Sequence, residues 1–192
     1  IEWQLESCQK EDMLAAKEEG GIWRKYSTKE VRETVDKLST GLLHLGLGPQ
    51  DMSIEGRDKI AILSNNRPEW VMLDLAVQQI GAVLTPIYPT INALELEFIL
   101  NDASVKLVFV SDKDLYAKVQ SIRDKTPTVK AVYTFDYVQQ ALNWKEILNK
   151  GNETDKSSLK KIRDSIQYED LCTILYTSGT TGFPKGVMLS HK

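Results

Sequence analysis

The sequence has only two cysteines, no excess of basic residues and no long apolar run, and each shortage excludes a class of protein. Cys8 and Cys172 lie far apart and form no CxxC pair, which excludes a disulfide framework and gives no zinc site. The formal net charge of −3 provides no basic field for collecting nucleic-acid phosphates. No apolar stretch approaches the roughly 20 residues that a membrane-spanning helix needs. We therefore predict a globular protein of a reducing compartment, most simply the cytoplasm, with no nucleic acid as a partner.

The length and composition of the chain indicate a folded domain. A chain of 192 residues with 42% hydrophobic and 27% charged residues is long enough and apolar enough to bury a core. It begins at Ile1 instead of a methionine and stops at Lys192, directly after a strongly patterned motif. Natural domains more often end in an exposed linker. We therefore expect the chain to be a fragment of a longer protein.

The clearest helical pattern covers residues 27–48. Ser27 and Glu30 form a capping box, after which apolar residues recur at steps of three and four. This apolar stripe consists of Val31, Val35, Leu38, Leu42 and Leu45. Glycines and a proline end the pattern, and a polar connection follows. We predict an N-terminal helical segment over residues 1–57.

From residue 58 onward, short apolar runs alternate with helical patterns. The runs are too short for helices and rich in β-branched residues, which is typical of buried strands. They cover residues 60–63, 82–84, 105–110, 129–133, 171–176 and 187–189. Helical patterns separate the first four runs, and the first of these helices begins at Pro68. Because parallel strands need crossover connections, residues 58–192 are predicted to form an α/β subdomain, with a mostly parallel sheet flanked by helices in three layers.

The segment between the last two predicted strands has a composition suited to binding phosphate. Residues 177–186 contain three glycines, four hydroxyl side chains and one lysine. Glycines let the backbone approach an anion with its N–H groups, hydroxyls add donors, and an ammonium supplies positive charge. The residues concerned are Thr177, Ser178, Gly179, Thr180, Thr181, Gly182, Lys185 and Gly186.

The spacing within this loop excludes two common nucleotide-binding motifs. The Walker A pattern needs Ser or Thr after its lysine, whereas Gly186 follows Lys185 here. The GxGxxG fingerprint of dinucleotide-binding folds is also absent from the loop. By composition alone, a solvent-exposed hairpin rich in Gly, Ser and Thr stays an open alternative.

The complete string of the loop reads Tyr176-Thr-Ser-Gly-Thr-Thr-Gly-Phe-Pro-Lys-Gly-Val187, with Glu169-Asp170 before it and His191 after it. This string resembles the signature loop of the adenylate-forming superfamily, which comprises acyl-CoA synthetases, luciferases and peptide-synthetase adenylation domains. Residues 58–70 and 76–90 look like the corresponding stretches of the long-chain fatty-acid branch of that superfamily. The upstream stretches also have a purely structural explanation, because their prolines suit a helix start and rigid turns.

The resemblance implies a role for the residues of the loop. In this family the loop clamps the β- and γ-phosphates of ATP during adenylation, so Lys185 is expected to act catalytically. The expected nucleotide-binding residues are Thr177, Ser178, Gly179, Thr180, Thr181, Gly182 and Lys185. No metal ligand is expected within this chain. His44 is expected to be a partly covered surface residue, His191 to have a structural or substrate-adjacent role, and Cys172 to be a small core residue.

The protein that the resemblance implies is an AMP-forming long-chain fatty-acid–CoA ligase, with a fatty acid, ATP with Mg²⁺, and CoA as substrates. The carboxylate attacks the α-phosphorus of ATP to give acyl-AMP and pyrophosphate, and the CoA thiol then displaces AMP. Two alternatives stay open: a ligase for another carboxylate, and an α/β module that binds phosphates or a protein without catalysis. Because the family's other catalytic residues lie beyond Lys192, the fragment itself is expected to be inactive.

Two further expectations concern the surface of the fragment. In the family, the N-terminal region packs partly against a neighbouring subdomain whose sequence is absent here. We therefore expect the apolar stripe from Val31 to Leu45 to lack cover and to drive self-association. Peripheral membrane contact stays open, so the expected location is the cytoplasm with membrane association as an alternative.

Overall fold

A computed structural model describes residues 2–18, 20–51, 53–151, 156–177 and 182–192. The helices are α1 (Glu2–Ser7), α2 (Thr28–His44), α3 (Pro68–Gln79), α4 (Ala93–Asp102), α5 (Lys113–Gln120), α6 (Lys145–Gly151) and α7 (Lys156–Ser165), with a short 3-10 turn at Arg123–Lys125. The strands are β1 (Leu14–Lys17), β2 (Trp23–Tyr26), β3 (Lys59–Leu63), β4 (Val83–Ile87), β5 (Val105–Val110), β6 (Ala131–Thr134), β7 (Leu142–Asn143), β8 (Leu171–Thr177) and β9 (Lys185–Ser190).

One sheet runs through the chain in the order β7-β6-β5-β3-β4-β8-β9. Its neighbouring strands are parallel except for β8 and β9, which form an antiparallel pair. Helices α2, α3 and α6 share a hydrophobic core with one face of the sheet, and α4 and α5 share a core with the other. Strand β3 is apolar after Lys59 for this reason, since Ile60 and Ile62 face the first core while Ala61 and Leu63 face the second. The prediction of a mostly parallel sheet between helices is confirmed.

Helix α2 begins where the capping box predicts. The side chain of Ser27 accepts a hydrogen bond from the backbone N–H of Glu30 at 3.2 Å. The prediction that the apolar stripe of α2 lacks cover is wrong, because Val31, Val35 and Leu38 are fully buried against α3 and α6.

Helix α6 can cover the stripe because the two helices approach closely at glycines. A Cβ added at Gly41 would lie 2.1 Å from the carbonyl oxygen of Ile147, and one added at Gly151 would lie 1.9 Å from that of Lys37. The hydroxyl of Thr40 also donates to the carbonyl oxygen of Gly151 at 2.9 Å. The stripe therefore supplies no reason for self-association.

The N-terminal segment also contains an antiparallel hairpin of β1 and β2, which the sequence analysis did not predict. The hairpin exposes Ile22 and Trp23 near its turn. Among the described residues, no helix has both the length and the apolar character needed to cross a membrane. The division of the chain after residue 57 stays a prediction.

Candidate functional site

The predicted phosphate loop connects β8 to β9 as a hairpin. In the register of the two strands, Thr177 is directly opposite Lys185, so the last residue of β8 and the first residue of β9 close the loop. Both side chains are exposed. Of the other predicted site residues, Gly182 is described, and Ser178, Gly179, Thr180 and Thr181 lie outside the described residues.

Strand geometry places the hydroxyl of Thr177 and the ammonium of Lys185 on the same side of the hairpin. Directly opposite residues of an antiparallel pair share a face, and successive residues alternate between faces. Thr177, Lys185, Leu175 and Val187 therefore face one way, whereas Tyr176 faces the other. A donor and a cation thus stand side by side at the mouth of the loop.

Gly182 adopts a backbone conformation that suits only glycine. Its φ angle is +134°, and an added Cβ would meet no described atom within 4 Å. The requirement for glycine at this position therefore comes from the backbone angle and not from a lack of space.

The loop stands at the carboxyl edge of the parallel strands, where open α/β sheets bind their ligands. Because β8 runs parallel to β4, Thr177 lies at the same edge as the residues that follow β3 and β4. A groove of about 520 Å³ occupies this edge. Its lining includes Ser64, Asn65, Asn66, Trp70, Tyr88 and Thr177.

Another part of this edge is occupied by a set of ion pairs. The guanidinium of Arg67 lies 2.9 Å from the carboxylates of both Glu69 and Asp136, and it also covers the ring of Phe135. Burial by itself would raise the pKa of Glu69, but hydrogen bonds from Arg67 more than offset this and hold the pKa below its ordinary value. Arg67 therefore pairs with carboxylates of the protein itself, whereas the side chain of Lys185 is exposed beside the groove.

Two residues of α4 contact the chain immediately before the loop and within its second half. The hydroxyl of Tyr176 donates to Oδ2 of Asp102 at 2.5 Å, and the ring of Phe183 stacks on that of Phe98 with 4.7 Å between centroids. Burial and the hydrogen bond to Asp102 raise the pKa of Tyr176, so its hydroxyl stays protonated and donates. Neither contact was predicted from the sequence, although the helical spacing of Phe98 and Asp102 places them on one face.

The sequence matches the AMP-binding enzyme family over residues 2–192. The chain belongs to this family. It is 31% identical to the long-chain-fatty-acid–CoA ligase ACSBG2 of Xenopus laevis over 92% of the chain and 24% of that relative. It is 33% identical to fatty acyl-CoA synthetase A of Dictyostelium discoideum over 93% of the chain and 26% of that relative.

The fold of this AMP-binding chain also matches solved structures. The crystal structure of the anthranilate CoA ligase AuaEII in complex with anthranoyl-AMP matches with a TM-score of 0.68 and 20% identity, over 88% of this chain and 30% of that one. This likeness shows that the fold is shared. The chain spans about a quarter of the length of the curated relatives named above, at 24% and 26%.

At the base of the hairpin, the AMP-binding chain has a buried ion pair. The guanidinium of Arg57 lies 2.8 Å from Oδ1 of Asp170, which immediately precedes β8. Burial alone would raise the pKa of Asp170, but the backbone N–H of Gln167 and the charge of Arg57 lower it below its ordinary value. The acidic residue before the loop strand therefore has a structural partner.

The structure also describes the remaining residues that the sequence analysis weighed, His44, His191 and Cys172. His44 is exposed on α2, as predicted. His191 follows β9, and its Nε2 is buried with no hydrogen-bond partner among the described residues. Cys172 is only partly buried, and burial raises the pKa of its thiol, which opposes formation of a reactive thiolate.

Proposed function

We propose that this chain is the front part of an ATP-dependent long-chain fatty-acid–CoA ligase. The observation that carries the proposal is the pairing of Thr177 with Lys185 at the mouth of a glycine- and hydroxyl-rich loop, at the carboxyl edge of a parallel sheet. Relatives of known name support the choice of substrate, because they are ligases of long-chain fatty acids or fatty acyl groups. The substrates of the whole protein are then a fatty acid, ATP with Mg²⁺, and CoA.

The proposed reaction has two steps. An oxygen of the fatty carboxylate attacks the α-phosphorus of ATP, the bond to the bridging oxygen breaks, and pyrophosphate leaves. The CoA sulfur then attacks the acyl carbon, loses its proton and displaces AMP. Negative charge grows on the departing pyrophosphate in the first step, so the ammonium of Lys185 and the hydroxyl of Thr177 stabilise that step.

Magnesium enters this scheme with the nucleotide. Within the described part of the chain, no group of three or more His, Cys, Asp or Glu side chains is arranged to hold a metal ion. We assign none of the described residues to magnesium, and the loop acts on the phosphates of the Mg-ATP complex. The proposed role of this chain is to bind and position phosphates.

The proposal includes the organisation and surfaces of the chain. Residues 1–57 form an N-terminal segment, and residues 58–192 form the subdomain that carries the loop. Self-association of the isolated chain is assigned to β9, where Val187, Met188 and Leu189 are between 42% and 56% exposed. Peripheral membrane contact is assigned to Ile22 and Trp23 of the hairpin, and the location stays cytoplasmic.

The test is ATP–pyrophosphate exchange by the full-length protein with acetate, octanoate, palmitate and benzoate. Exchange that is fastest with palmitate supports the proposal. Fastest exchange with acetate or benzoate would assign the protein to a ligase for another carboxylate. Binding of Mg-ATP without exchange would indicate a phosphate-binding module without catalysis.

A further inference from the structure

We propose that α4 positions the phosphate loop, because Asp102 of this helix holds the residue that precedes the loop and Phe98 holds a residue in its second half. The inference rests on the proposed function, since it concerns how the loop presents Thr177 and Lys185 to ATP. Phe98 and Asp102 act through their contacts with the loop and are positioning residues, not catalytic residues.

The two contacts come from one face of the helix. Phe98 and Asp102 are one helical turn apart, so their side chains are neighbours. The ring of Phe98 stacks on Phe183 with an angle of 17° between the ring planes, and Oδ2 of Asp102 accepts from the hydroxyl of Tyr176 at 2.5 Å. Tyr176 precedes the loop and Phe183 lies in its second half, so the contacts enclose residues 177–182, and Phe183 is two residues before Lys185.

The position of helix α4 is fixed because the face of the helix that packs on the sheet is buried. Leu96 and Leu100 are 0% exposed and Ile99 is 2% exposed in the core between helix and sheet. The side chain of Asn92 caps the start of the helix by accepting from the backbone N–H of Glu95 at 2.9 Å. Because α4 is held at its start and along its buried face, its contacts with Tyr176 and Phe183 can fix the position of the loop.

Tyr176 connects helix α4 to Thr177 and Lys185. Its ring packs under Gly186, where an added Cβ would lie 3.1 Å from Cζ of Tyr176. Thr177 is next to Tyr176 in the chain, and Lys185 is next to Gly186. Fixing Tyr176 on one face of the hairpin therefore fixes Thr177 and Lys185 on the other, and accurate placement supplies much of the rate in phosphate chemistry.

The second contact places the loop without adding much to the core. The ring of Phe183 stays 54% exposed while it stacks on Phe98, so it contributes little buried area to the fold. Stacked rings have a preferred geometry, which fixes both the distance and the orientation of the segment that carries Phe183. Loss of this contact is therefore expected to affect the loop more than the stability of the domain.

The test compares variants of the full-length protein in steady-state acyl-CoA synthesis and in Mg-ATP binding by titration calorimetry. Phe98→Ala and Asp102→Ala are expected to raise the KM and the dissociation constant for Mg-ATP about three- to tenfold, because each removes one loop contact. The KM for the fatty acid is expected to stay within about twofold of its wild-type value. Phe98→Tyr and Asp102→Asn keep a ring and an acceptor, so values close to wild type are expected.

Leu94→Ala is the matched control, because Leu94 lies on the same helix and is 64% exposed. A merely structural role for Phe98 and Asp102 would lower the melting temperature and the yield of active enzyme without changing the KM for Mg-ATP. Unchanged Mg-ATP binding in both alanine variants would overturn this inference and leave the proposed function intact. Failure of the wild-type protein to bind Mg-ATP would overturn both this inference and the proposed function.

Discussion

The guanidinium of Arg57 lies 2.8 Å from the carboxylate of Asp170 and joins the segment before β3 to the segment before β8. The side chain of Arg57 is 0% exposed and that of Asp170 is 15% exposed. Oδ2 of Asp170 also accepts from the backbone N–H of Gln167 at 2.7 Å. This pair fixes the base of the hairpin whose other end carries the phosphate loop.

Asp170→Ala is expected to destabilise the domain by about 3 kcal/mol, because it leaves a buried guanidinium without its carboxylate. Urea unfolding, followed by circular dichroism, measures the change in the free energy of unfolding. Glu169→Ala is the control, since the neighbouring side chain is 75% exposed and its loss should change stability by less than about 0.5 kcal/mol. Equal effects of the two substitutions would show that the buried pair is not important for stability.

His191 is expected to make stability depend on pH. Burial, together with the nearby charge of Arg57, lowers the pKa of His191 below its ordinary value. When the pH falls below about 6.5, His191 binds a proton in the unfolded chain but not yet in the folded chain. The free energy of unfolding therefore decreases. This decrease continues until the folded pKa is reached. Stability measured between pH 7.5 and about 5 should show this slope, and His191→Gln should reduce it.

His44→Gln provides the control for this slope, since His44 is the other of the two histidines in the sequence and is exposed. This variant shows whether the loss of a histidine by itself changes the slope. A slope that persists in His191→Gln and disappears in His44→Gln would contradict the assignment.

Elements with a complete local pattern could be predicted from the sequence. The capping pair Ser27 and Glu30 predicts the start of α2, and Pro68 occupies the first turn of α3 as predicted. The short apolar runs correspond to β3, β4, β5 and β6, because a strand covered on both faces needs apolar residues at most positions. In these elements local preference and tertiary burial agree.

The features that were missed depend on residues far apart in the chain. Helix α6 is short and is stabilised by its close contact with α2 at Gly41, which no pattern within α6 indicates. The hydrogen bond from Tyr176 to Asp102 joins residues 74 positions apart. The loop motif was recognised from its string, whereas the helix that holds the loop could only be found from the fold.

Lys185→Ala in the full-length protein is expected to slow the formation of acyl-AMP by about 100- to 1,000-fold, the usual effect of removing one group that stabilises charge in a transition state. Single-turnover measurement with Mg-ATP and palmitate isolates this step. The transfer from preformed acyl-AMP to CoA should change much less, because pyrophosphate has already left. Lys130→Ala removes another exposed ammonium and is the control. A change of less than about threefold in acyl-AMP formation would contradict the role of Lys185.

Gly182→Ala is expected to weaken Mg-ATP binding through the backbone. At a φ of +134° an alanine is strained by about 1–3 kcal/mol, and the loop should leave its binding conformation to relieve that strain. Gly46→Ala is a close control, because Gly46 has a φ of +75° and open space around it but lies after α2, away from the loop. Calorimetry should show weaker Mg-ATP binding for Gly182→Ala alone, although both variants lose stability.

The isolated chain of 192 residues is expected to self-associate through β9 and to lack ligase activity. One face of the β8–β9 hairpin carries Leu175, Val187 and Leu189, which are 37%, 44% and 42% exposed. In the sheet order β9 is the last strand, so its outer backbone N–H and C=O groups are open to pairing with another chain. An exposed apolar face beside an open edge favours contact between copies of the chain.

Sedimentation velocity should therefore show dimers or larger species, and a charged residue on this face should shift the chain to the monomer. Val187→Lys is the test, and Tyr137→Lys is the control because Tyr137 is 87% exposed and lies away from β9. Activity should be absent in both forms, since the loop alone cannot position adenine and carboxylate. A wild-type chain that sediments as a monomer at all concentrations would contradict the association. Acyl-AMP formation by the isolated chain above that of the same chain carrying Lys185→Ala would contradict the lack of activity.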